Sequence, residues 1–149
     1  MNEQTIDLYT VIHQGAKMSI ASLDVLIQNS SDEEYKTYLT HKQNRYKQIA
    51  AKAGQTLQAY SDFGDSTAQP SVIPQVATQT MASVNSVADH AQQAGPIEVL
   101  LSGFQQASRD LAESMQANMD AAQSARNLAY SLLELQQNDL YSFSTSFKQ

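Results

Sequence analysis

Ile6, Tyr9, His13, Ala16, Ile20, Leu23 and Ile27 recur at alternating steps of three and four, the spacing that sets side chains on one stripe of an α-helix. The stripe predicts a first helix from about residue 3 to 28. Moving 91 positions along the chain gives Ile97, Leu100, Phe104, Ala107, Leu111, Ser114 and Asn118, with Met115 and Met119 one place beyond the last two. The echo predicts a duplicated helical hairpin. Neither copy of the stripe holds a carboxylate, which argues for an apolar, uninterrupted centre.

Asn29 and Ser30 end the first helix, and Ser31-Asp32-Glu33-Glu34 has the form of a capping box, with the Ser31 hydroxyl as acceptor and Glu34 reaching back. The second helix then carries Tyr35, Leu39, Lys42, Tyr46, Ile49, Ala53, Leu57 and Tyr60 at helical spacing, stopping near Asp62 to Asp65. So short a turn forces the two helices antiparallel. Residues 64–95 change character, and two readings stand: a helix over 74–92 begun by Pro74, with Val76, Met81, Val84 and Val87 inward, or an irregular crossover. Gly95-Pro96 restarts a helix, because a proline at the first helical position lacks only a donor that would be unused. Its seam reads Ile97, Leu101, Phe104, Ser108, Leu111, Met115 and Met119. A turn is expected near 118–122, with Asp120 and Gln123 capping a last helix to about residue 147. Without that turn, 96–147 would be one helix roughly 75 Å long, leaving Leu128, Leu132, Leu133, Leu135, Leu140, Phe143 and Phe147 outside a compact core.

Composition narrows the classes. At 149 residues the chain can bury a core as one domain, 1–149, made of hairpin 3–63, crossover 64–95 and hairpin 96–147. There is no cysteine, so thiolate metal sites, disulfides and thiol nucleophiles are excluded. Nine basic against fifteen acidic residues give a net charge of -6, which opposes nucleic-acid binding. Five of the nine cations lie between Lys36 and Lys52, interleaved with Gln, Thr and Asn, and read as a solvated helix face. No stretch approaches the length of a membrane span, and the opening residues lack a secretory pattern, so the expected location is the cytoplasm.

Two antiparallel hairpins joined by a long crossover resemble the ferritin-like four-helix bundle, and Met18 to Ala53 resembles the hairpins of small bacterial rubrerythrin-like and spore-coat-type proteins. The resemblance implies an all-α, ferritin-like fold. In such proteins two inward Glu residues and two Glu-x-x-His pairs converge on a di-iron or di-manganese centre. This chain has no Glu-x-x-His: the corresponding second-helix stretch holds Lys42, Arg45, Tyr46 and Ile49, the fourth helix Leu132, Leu133, Leu135 and Gln136, and Asp110, Glu113 and Glu134 lie off the seams. An ammonium at Lys42 would repel a metal. The expectation is therefore the fold without the metal or any other cofactor.

His13 is the one titratable residue in the first seam and reads as a hydrogen-bonded core histidine; the other reading makes it a ligand or base. Lys42 points inward by spacing, yet its stem can carry the ammonium past the helix edge. The residues that could form a pocket are His13, Lys42, Tyr46 and Phe104, although hairpin pairing sets Lys42 nearer Ile20 and Asp24 than His13. His41 and His90 are isolated and expected at the surface. Tyr9, Tyr35, Tyr38, Tyr46 and Tyr60 read as packing residues with hydroxyls at the rim. No phosphate loop or nucleophile elbow is present. The functional expectation is a structural or protein-interaction module forming a homodimer; the alternative is a metal-binding or oxidoreductase bundle with a site near His13. A third is an extended helical protein displayed outside the cell.

Overall fold

The first helix starts where an asparagine can cap it. In the computed structural model, which describes residues 2–63 and 96–147, the Asn2 side-chain oxygen accepts from the Thr5 amide at 2.8 Å and the Thr5 hydroxyl at 2.6 Å. Helix α1 runs Glu3–Gln28 and ends as Asn29 turns its amide and side chain back onto the Val25 carbonyl. Helix α2 spans Glu33–Phe63, α3 spans Pro96–Ala117 and α4 spans Gln123–Phe147. The described residues are all-α, with no strand among them. None of their helices is long and apolar enough to cross a membrane.

Both turns exist, but neither is capped as the sequence predicts. At the first, Asp32 takes the capping role: its carboxylate accepts from the Glu34 amide at 3.0 Å, while the Ser30 hydroxyl accepts from the Asp32 amide at 3.4 Å. Asp and Ser are comparable caps, so a one-residue shift of the helix start costs little. At the second turn Asp120 and Gln123 do not form a box. The Asp120 amide donates to the Gln4 side chain at 2.9 Å, the Ala122 amide donates to the Thr5 hydroxyl at 2.8 Å, and the Asn2 amide group donates to the Asp120 carbonyl at 3.2 Å. The start of α1 thus supplies the hydrogen bonds that the α3–α4 turn lacks on its own.

Those contacts also fix the helix directions. The beginning of α1 sits at the α3–α4 turn, and Gly15 further along lies against Leu132, Gln136 and Ala107. Helix α4 therefore runs parallel to α1. Gly103 faces Ser22 whereas Ala107 faces Gly15, so α3 runs antiparallel to α1. Helix α2 is antiparallel as well, since Gly54 meets His13 and Gln43 meets Ile20. Phe63 and Pro96 consequently lie at opposite ends. The expected 74–92 helix and His90 fall in the stretch 64–95, outside the described residues, as do the side chains of Ile97 and Phe147.

Helix α1 is the hub, packed along both α2 and α3, while α2 and α4 meet only over a short stretch. It accordingly buries two stripes rather than one. Ile6, Tyr9, Ala16 and Leu23 are buried as the seam predicts, with His13, Ile20 and Ile27 half-buried at its edge toward α2. A second stripe, Thr5, Leu8, Ile12, Gly15, Ser19, Ser22 and Leu26, faces α3 and α4. Its small and polar members carry no hydrophobic signal, so the pattern underestimates the buried face. In α3 the echoed positions Leu100, Phe104, Ala107, Leu111 and Asn118 are buried and Ser114 half-buried, whereas of the seam predicted for this helix Leu101, Ser108 and Met115 are only half-buried and Met119 is 71% exposed at the turn.

Candidate functional site

Helix α4 lines the core with Ala125, Leu128, Ala129, Leu132, Gln136, Asp139 and Phe143. Two of these are polar, so the centre is not the uninterrupted apolar seam that the sequence predicts. Asp139 is only 2% exposed. Its Oδ1 lies 2.8 Å from the Lys42 ammonium, and its Oδ2 accepts a hydrogen bond from the Tyr46 hydroxyl at 2.7 Å. Both carboxylate oxygens are thus occupied, which meets the large cost of burying a carboxylate.

Around this triad the aromatic rings close ranks. Tyr46 meets Phe104 with ring centroids 5.6 Å apart and planes at 59°, and Phe104 meets Phe143 edge-on at 6.0 Å. The Lys42 ammonium stands 5.0 Å from the Tyr38 ring centre and 5.7 Å from that of Phe143. Lys42 therefore turns inward instead of passing the helix edge. Burial works to lower its pKa, yet the hydrogen bond and charge of Asp139, with Tyr38 adding, outweigh that and raise it. Burial, then the charge and hydrogen bond of Asp139, push the Tyr46 hydroxyl well above its usual range and keep it a donor.

A polar strip continues from the triad. Gln136 is fully buried, donating to the Ser19 hydroxyl at 3.2 Å and accepting from Ser108 at 3.4 Å. Gln43 donates to the Ile20 carbonyl at 3.0 Å and to Asp24 at 3.4 Å. Gln136 on α4 thus reaches α1 and α3, and Gln43 on α2 reaches α1, so the strip ties the four helices in one register.

His13 stands elsewhere, half-buried, in an open groove of about 270 Å³ between α1 and α2 that Lys17, Lys47, Ala50 and Ala51 also line. Its ring lies 3.4 Å from where a side chain on Gly54 would begin. Burial, then the charge of Lys17, holds its pKa below the usual histidine range. Of the four expected pocket residues, Lys42, Tyr46 and Phe104 come together and His13 does not. Asp139 is the member the sequence reading passes over. It sits three after Gln136 and four before Phe143 on a helical stripe, a signal that becomes visible once polar seam positions are counted.

A di-metal centre does not fit here. The mid-bundle donors are one carboxylate and one phenol with an ammonium between the helices, and among the described residues no three His, Asp or Glu side chains gather closely enough to hold a metal ion. His41, Tyr38, Asp110, Glu113 and Glu134 are exposed, Tyr35 and Tyr60 half-buried, and Tyr9 buried with its hydroxyl donating to Ser124 at 3.1 Å. Comparison with protein-family models, with curated proteins and with solved structures finds no match to this chain.

Proposed function

We propose that the chain is a ferritin-like four-helix bundle serving as a structural or protein-interaction module, without a di-metal centre. The helix directions support the architecture: α1 and α4 run one way, α2 and α3 the other, as in two hairpins joined by an end-to-end crossover. The observation that carries the functional reading is the occupation of Asp139. A lysine ammonium and a phenol take the carboxylate oxygens that a metal would need, so the middle of the bundle is tied together rather than equipped for redox chemistry. The reading includes a cytoplasmic location and a homodimer, the latter supported by Tyr130 and Tyr141 standing 63% and 74% exposed on one outward face of α4. The reading of a metal or redox site near His13 has less support, because its neighbours in the groove are ammonium groups.

Elemental analysis tests the metal-free reading. Full-length protein incubated with iron(II), manganese(II) or zinc(II) and then desalted is expected to retain no stoichiometric metal, and Asp139→Asn is expected to leave that result unchanged. One or two ions per chain, lost in the variant, would overturn it.

A further inference from the structure

Helix α2 is unlike the rest of the molecule in charge. From Tyr35 to Ser61 it has no Asp or Glu but carries Lys36, Lys42, Arg45, Lys47 and Lys52, within a chain of net charge -6. Lys36 pairs with Glu33 at 3.6 Å and Lys42 with Asp139. Lys47 has no ion-pair partner among the described residues, and neither has Lys17, which faces it from α1. The two line the same groove as His13, whose floor of Ala50, Ala51 and Gly54 keeps the cleft open. Helices α3 and α4 contribute no residue to it, and Asp24, further along α1, is taken by Gln43.

Two ammonium groups brought to one cleft repel each other, and Lys17 also opposes protonation of His13. An anion in the groove relieves both effects. A doubly charged oxyanion matches two ammonium groups better than a singly charged carboxylate does. Ile20 and the alanines beside it provide a small apolar surface. We propose that this groove binds the phosphate group of a small organic phosphate, held by Lys17 and Lys47 with His13 at its side.

The test titrates isotope-labelled full-length protein with inorganic phosphate at constant ionic strength, followed by NMR. The expected result is saturable shifts at His13, Lys17, Lys47 and Gly54 that chloride does not reproduce, with the His13 pKa rising in phosphate. Both lysines stand at the surface or half-buried, so Lys17→Gln/Lys47→Gln should keep the wild-type melting temperature while weakening phosphate binding by about tenfold or more. Phenyl phosphate should bind more tightly than inorganic phosphate. Shifts matched by chloride, or an affinity unchanged in the double variant, would overturn the site; equal affinity for the two phosphates would overturn the organic part of the ligand. None of these results depends on the metal analysis above.

Discussion

Asp139 shows how one residue can be costly alone and harmless in company. A carboxylate with almost no exposure is tolerated because Lys42 and Tyr46 meet both its oxygens. Removing one partner strands the other. Lys42→Met should cost about 3 kcal/mol, the lower end for breaking a buried pair, since the Lys42 side chain keeps 16% of its exposure. Lys42→Met/Asp139→Asn should recover part of that loss, because no buried charge is left and the amide oxygen still accepts from the Tyr46 hydroxyl, and additive losses in a denaturant double-mutant cycle would contradict the account. The pH dependence has a definite sign. Lys42 is raised on folding, so its contribution is complete below the unfolded value of about 10.4 and disappears as pH climbs through the folded one. The raised Tyr46 hydroxyl acts in the same direction, because the unfolded phenol loses its proton first. Alkaline unfolding should therefore begin at lower pH in wild type than in the double variant.

At the scale of helices, the close approach of α1 and α3 sets what each can carry. A Cβ on Gly103 would collide with the Ser22 hydroxyl, which donates to the Met18 carbonyl at 3.0 Å. Gly103→Ala should destabilise the fold by roughly 1–3 kcal/mol as an overpacking change, even though alanine favours the helix. Ser22→Ala in the same chain should restore most of the loss, because it removes the atom in the way; thermal melts of the three variants decide. The helices themselves were legible in the spacing, with α1 ending at Gln28 and α3 beginning at Pro96. The second buried stripe of α1 was not, since Gly15, Ser19 and Ser22 are chosen for close packing and look polar or neutral in one dimension. The second turn was legible only in position. Its hydrogen bonds come from Asn2, Gln4 and Thr5, more than a hundred residues earlier.

For the whole molecule, the uneven packing of the bundle matters most. Helix α1 is enclosed, whereas α4 turns Tyr130 and Tyr141 outward, three turns apart on one side. As a self-associating module the protein should sediment at about twice its chain mass of 16.4 kDa, and Tyr130→Ser/Tyr141→Ser should sediment as a monomer with an unchanged helical spectrum. A wild-type monomer at tens of micromolar would remove the dimer from the proposal. The echo of 91 residues predicts matched hairpins, yet Leu39 is buried and its counterpart Tyr130 exposed. The likeness of the two halves stops at their first helices, because α2 packs along α1 while α4 crosses to touch all three others.

What the sequence determined by itself was local: the four described helices, two short turns, most of the buried apolar positions of α3, and the lack of paired Glu-x-x-His ligands. Each follows from residue spacing, capping or composition, which act within a few turns of the chain. Tertiary structure alone decided that Lys42 meets Asp139 from 97 positions away, that the groove of His13 also gathers Lys17 and Lys47, and that α1 buries two faces. Charge pairing and close packing are set by which surfaces meet in space, and one-dimensional periodicity holds no record of the partner.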